Sequence, residues 1–131
     1  MPRVKSQPLI AVKDVLTSSK WYQKLLNAKN LGGGTDHDHI YDRILVEDHL
    51  VLQLHSWNDE NHPNLVDPQK APVGHGVLLW FEVDDFKETL ERIAKLEAEV
   101  IEDTHFNPGP QLHEIWIRDL DDYVVVIAGT M

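Results

Sequence analysis

Residues 77–86 read Val77-Leu78-Leu79-Trp80-Phe81-Glu82-Val83-Asp84-Asp85-Phe86, an apolar run that closes on two acidic residues. Val77 to Val83 has the length and content of a strand. Beyond it Phe86, Leu90, Ile93, Ala94 and then Leu96 or Ala98 recur at helical spacing, which predicts an amphipathic helix. Val100 to Thr104, Leu112 to Arg118 and Tyr123 to Ala128 read as three closing strands.

The same order stands earlier in the chain. Pro8-Leu9-Ile10-Ala11-Val12 is a short β-like run closed by Asp14, and Thr17, Ser18 and Ser19 offer N-caps for a helix through Trp21, Tyr22, Leu25 and Leu26. Gly32-Gly33-Gly34 breaks that helix into a loop. Two strands follow, His39 to Val46 and His49 to Trp57, joined by a tight acidic turn at Glu47-Asp48. With Asp14 and Asp84 as equivalent landmarks, the repeat has an offset of 70 residues. A repeat whose halves cannot each bury a sheet alone predicts that they pack on one another. The expectation is one α+β domain over 1–131, made of two β-α-β-β-β modules that hold a small molecule between them. Module one covers about 5–57, a polar connection 58–76, and module two about 77–129. The connection carries Pro63, Pro68 and Pro72, and long connections of this kind are often functional.

Composition narrows the class. The chain has 131 residues, 42% hydrophobic and 26% charged, which is ordinary for a globular domain. It has no cysteine, which excludes disulfides, thiolate metal sites and thiol catalysis and fits a reducing cytoplasm. No run approaches the ~20 apolar residues that span a bilayer, so a soluble cytoplasmic protein without a membrane partner is expected. The formal charge of −10 repels phosphate backbones and argues against nucleic acid as a partner.

Three stretches together resemble the vicinal oxygen chelate superfamily, which contains glyoxalase I, extradiol dioxygenases, fosfomycin-resistance enzymes and bleomycin-resistance proteins. The first is Ile10-Ala11-Val12-Lys13-Asp14 followed by Ser18, Trp21-Tyr22 and Leu25-Leu26. The second is Phe81-Glu82-Val83-Asp84-Asp85 with Glu97-Ala98-Glu99-Val100 after the helix. The third is Arg118-Asp119-Leu120-Asp121-Asp122-Tyr123, similar to the family's Arg-Asp-Pro-Asp-Gly-Tyr turn. Leu120 and Asp122 depart from that turn, and Asp tolerates the positive φ that glycine would supply. The resemblance implies a glyoxalase/bleomycin resistance/dioxygenase fold and a homodimer.

Strand parity separates faces. The purely apolar sets are expected under the helices. The mixed sets, with Gln7, Gln53, His55, Trp80, Glu82, Glu114, Trp116 and Arg118, are expected to line the cavity and bind the ligand. Aromatic walls with a few polar groups suit such a site; the competing reading is that Trp80 and Trp116 simply fill space, and that Arg118 pairs with Glu114 or Glu82.

Metal-using members of the superfamily take one His, Gln or Glu from each of four strands. The matching positions here are Gln7, Gln53, Leu78 and Val126, and Leu and Val cannot ligate, so no metal cofactor is expected. A divalent metal at a displaced site remains the alternative, with His55, Glu114 and His75 as its candidates. The other histidines, His37, His39, His49, His62 and His105, read as solvated, and His113 falls on the helix-facing parity. Two functions therefore compete. One is a metal-free, bleomycin-resistance-like protein that binds a small aromatic or cationic molecule. The other is a lyase, isomerase or dioxygenase using a displaced metal or an acid/base pair of His55 and Glu114. An interaction module with a filled cavity is a third.

Overall fold

The computed structural model describes residues 3, 5–31, 40–57, 65–69 and 73–131. Contacts divide the chain into two compact units, residues 1–68 and 69–131, with the boundary inside the polar connection. Each unit is one helix on one four-stranded mixed sheet, so the α+β class holds. No described helix is long and apolar enough to cross a membrane.

The first unit contains β1 (Leu9–Val12), α1 (Val15–Leu26), β2 (Lys29–Asn30), β3 (Tyr41–Val46) and β4 (His49–Ser56). Its sheet order is β1-β4-β3-β2, with β1 parallel to β4 and the other pairs antiparallel. α1 begins earlier than the Thr17–Ser19 caps predict. Asp14 is extended and its carboxylate accepts the Thr17 backbone N–H at 3.0 Å, which satisfies a donor the helix start leaves open. Ser18 and Ser19 then lie inside the helix and are buried. The helix also stops before the glycine triplet, at Leu26, where Asn27 takes the left-handed region with φ 51°. Residues 32–39, including the triplet, His37 and His39, lie outside the described residues. β2 supplies the strand that module one lacked in the sequence pattern; two residues are too few for alternation to register. At the hairpin, Glu47 and Asp48 have φ 50° and 66°, the pair of positive values that marks a type I′ turn.

The second unit repeats the plan with β5 (Leu78–Glu82), α2 (Phe86–Leu96), β6 (Glu99–Asn107), β7 (Leu112–Arg118) and β8 (Val124–Gly129), ordered β5-β8-β7-β6. Its helix cap is Asp85 rather than Asp84, so the two caps are 71 residues apart and the offset of 70 is corrected by one. The Asp85 carboxylate holds Arg92 at 2.9 Å instead of a backbone donor. In the turn before β8, Asp119 Oδ1 accepts the N–H groups of Asp121 (2.8 Å) and Tyr123 (2.9 Å), and Asp122 sits at φ 69°, where the family has glycine.

Each unit buries one sheet face under its helix. In the first, Ile10, Val12, Ile44, Leu52 and Leu54 are buried with Trp21, Tyr22 and Leu25 of α1; in the second, Leu79, Ile115, Ile117, Val125 and Ile127 are buried with Phe86 and Ile93 of α2. Each such side chain contributes about 1.5–3 kcal/mol. The alternate residues are left for the opposite face.

Candidate functional site

Strand register sets out that opposite face in rows. In the second unit Trp80, Val126 and Trp116 form one row, and Glu82, Ala128 and Glu114 the next, with His105 of β6 opposite Glu114. Glu114 is the centre of the arrangement and is only 2% exposed. Its Oε1 accepts the Trp116 indole N–H at 3.1 Å and faces His105 Nε2 at 3.7 Å. Its Oε2 accepts the Trp80 indole N–H at 3.3 Å and the Asn107 amide at 3.0 Å. β8 lies between β5 and β7, so the Trp80 side chain must cross β8 to reach Glu114. Val126 and Ala128 on that strand are fully buried.

Burial disfavours the Glu114 anion, but the hydrogen bonds from Trp116, Asn107 and Trp80, with the charge of His105, outweigh it and hold the carboxyl below its ordinary range. Glu114 is therefore an ionised acceptor whose oxygens already receive N–H groups. That state suits an organiser of two indoles better than a general base with an oxygen aimed at substrate. His105 is held in turn, its Nδ1 2.9 Å from the Asp103 carbonyl.

The remaining sequence candidates on this unit take other roles. Glu82 is exposed two residues beyond Trp80 on the same face. Arg118 pairs with neither Glu114 nor Glu82: its Nε lies 3.5 Å from Glu99, and Nη1 donates to the Asp122 carbonyl at 3.3 Å. His113 stands on the helix side, its ring 5.3 Å from Phe106 and 6.5 Å from Phe86.

In the first unit the equivalent rows are Leu9, Gln53 and Arg43, then Ala11, His55 and Tyr41. The Tyr41 hydroxyl donates to Gln53 Oε1 at 2.6 Å, and Gln53 Nε2 donates to the Gln7 carbonyl at 3.0 Å. His55 is buried, with Nδ1 2.8 Å from the Ser56 carbonyl. A groove of about 710 Å³ lies on this unit, and its lining among the described residues includes Lys5, Gln7, Tyr41, Arg43, Asp48 and Gln53. The structure thus gathers Trp80, Glu114 and Trp116 in one unit and Gln7, Gln53 and His55 in the other. Sequence reasoning missed Asn107, Tyr41 and Arg43 and set His105 aside as solvated. The parity of β6 against Glu114 was the signal that could have found His105; Asn107 is masked by Asn107-Pro108-Gly109, which reads as a turn.

The profile of the Glyoxalase/Bleomycin resistance protein/Dioxygenase superfamily matches residues 6–127. The chain belongs to that superfamily. No curated protein sequence matches this superfamily member. Among solved structures it is similar to an integron cassette protein from the mobile metagenome of V. cholerae, at TM-score 0.71 and 16% identity, covering 100% of this chain and 99% of that one. It is also similar to lactoylglutathione lyase from Agrobacterium tumefaciens, at TM-score 0.67 and 20% identity over 98% and 94% of the two chains. A third is the fosfomycin resistance protein FosX from Listeria monocytogenes, described as complexed with Mn(II) and sulfate, at TM-score 0.68 and 15% identity over 100% and 93%. At these identities the likeness is one of fold.

The glyoxalase-type metal position can be tested on the donor chemistry. The shift of 71 residues carries Gln7 onto Leu78, and the rows carry Gln53 onto Val126. Leu78 and Val126 have no donor atom, and the Gln53 amide is engaged at both ends. These four residues do not fit a divalent ion. Among the described residues, no group of three or more His, Cys, Asp or Glu is placed to hold a metal.

Proposed function

We propose that this protein is a metal-free small-molecule-binding member of the superfamily, which takes an aromatic or cationic ligand on the Trp80–Trp116 face of its second unit. The observation that carries the reading is the indole of Trp80: its N–H is fixed to buried Glu114 while the residue stays 42% exposed. An aromatic ring held still at its edge and open at its face is a stacking and cation–π surface that has already lost its rotamer entropy. Charge supports a cation. Residues 69–131 carry thirteen acidic and five basic side chains, net −8, against nine and seven, net −2, in residues 1–68. Exposed Glu82 stands beside Trp80, and Glu102 pairs with Trp116 across the strands.

The test pairs elemental analysis with a tryptophan-fluorescence titration. Benzyltrimethylammonium is the probe, and the Trp80→Leu, His55→Ala and Glu114→Ala variants stand beside the wild type. The expected result is no stoichiometric metal and a saturable response to the probe that Trp80→Leu abolishes. Stoichiometric metal that is lost in His55→Ala or Glu114→Ala overturns the reading in favour of a metal-dependent lyase, isomerase or dioxygenase. The superfamily's habit of pairing also supports a homodimer, which light scattering on the eluting protein tests directly.

A further inference from the structure

On the second unit's face the hydrogen-bond donors all converge on one carboxylate. Trp116 donates to Glu114 Oε1, and Trp80 and Asn107 donate to Oε2. The other end of the Asn107 amide accepts the Gly109 N–H. We infer that this face selects a quaternary ammonium ion, a cation with no N–H group, over a primary ammonium ion. The inference rests on the ligand face proposed above and names the class of cation it takes.

Three observations carry this. First, the charge at the centre of the face is covered. Glu114 is ionised, yet its side chain is only 3% exposed and its oxygens hold three N–H donors. A cation bound nearby feels that charge without reaching an oxygen to donate to. Second, the row that holds both indoles is Trp80, Val126 and Trp116, and none of these side chains is an acceptor. The backbone of β8 between them is engaged in ladders to β5 and β7. His105 adds no open acceptor: its Nδ1 faces the Asp103 carbonyl and so carries the proton, and its Nε2 faces covered Glu114 at 3.7 Å. Third, the open carboxylates stand at the margins. Glu82 is exposed two residues beyond Trp80, and Glu102 is exposed opposite Trp116. Their field draws in either cation, but an exposed ion pair adds little as a contact.

The preference follows from what each cation must give up. A primary ammonium ion has three N–H donors, and each would lose water with no side-chain acceptor on this row to replace it. A quaternary ion has no donor to satisfy and meets the indole face through its methyl groups.

Calorimetric titration of the full-length protein, at pH 7 and constant ionic strength, compares benzyltrimethylammonium, benzylammonium and uncharged benzyl alcohol. Wild type stands beside Trp80→Leu and Glu82→Gln. The quaternary ion should bind about tenfold or more tightly than either other probe. Trp80→Leu removes the open ring and one donor from Glu114 Oε2, and should leave the quaternary ion no tighter than benzylammonium. Glu82→Gln should weaken both cations alike and keep their ratio, because that exposed side chain acts through its charge. Equal binding of the two cations, or of the quaternary ion and benzyl alcohol, overturns the inference and leaves the ligand face standing. A preference that survives Trp80→Leu, or vanishes in Glu82→Gln, also overturns it. If none of the three probes saturates, the ligand face itself is refuted and the inference with it.

Discussion

Glu114→Gln changes one atom of the side chain and isolates what its charge does. Three donors hydrogen-bond to the carboxylate, Trp116 on Oε1 and Trp80 and Asn107 on Oε2, and His105 Nε2 stands 3.7 Å from Oε1. A glutamine offers one acceptor oxygen and places an NH₂ where the other was. With its oxygen towards Trp80 and Asn107, the NH₂ faces the Trp116 indole N–H; reversed, it faces two donors. Asn107 cannot turn its amide freely, because its Oδ1 accepts the Gly109 N–H at 3.0 Å. At least one charged hydrogen bond is lost and one half-buried donor is left facing another. Each such loss costs about 1–3 kcal/mol. The 3.3 Å bond to Trp80 is the longest of the three and contributes least. The expected destabilisation is about 2 kcal/mol, a factor of about 30 in the folding equilibrium. For a chain of this size that lowers Tm by roughly 6–10 °C.

Urea unfolding followed by circular dichroism measures the loss, and a red-shifted tryptophan emission should accompany it. The pH dependence supplies the sign. Glu114 is held below its ordinary carboxyl range when folded, so its contribution is present at neutral pH and lost as pH falls through the folded-state value. The gap between wild type and Glu114→Gln should therefore close in acid. A gap under about 0.5 kcal/mol at pH 7, which is ordinary for a surface substitution, would refute the account of Glu114 as organiser, as would one that persists unchanged below its titration.

Two other substitutions probe the frame that positions the face. Asp14→Ala removes the acceptor for Thr17 N–H and should cost about 1 kcal/mol by urea unfolding, with Thr17→Ala costing less because its backbone N–H remains. Gly74→Ala should cost more, about 2 kcal/mol or above: the residue has φ +71°, and an added Cβ would stand 2.7 Å from the Tyr123 ring. A neutral result in a thermal melt would mean the loop and ring are not packed as described.

How much of this was legible in the sequence follows the range of the forces involved. Alternation along a strand, helical spacing and the preference of Asp for a cap are local, so the strands, both helices, the repeat and the sheet faces of Trp80, Glu114 and Trp116 could be read from residue order. Errors fell where the local signal is weakest: at a strand of two residues, and at helix starts where several neighbouring residues can each cap. Glu114 was marked only as a polar group on the right face. Its partners arrive from 34 residues before it, 7 before it and 2 after it, on three strands. No periodicity reports which indole leans across an intervening strand, which amide is spent on a neighbour, or that Arg118 turns to Glu99. Those choices belong to pairing register and side-chain packing, which only the folded sheet brings within hydrogen-bonding distance. The sequence by itself determined where each side chain leaves the backbone; the tertiary structure decided what it meets, and hence that a buried carboxylate became the anchor of two indoles.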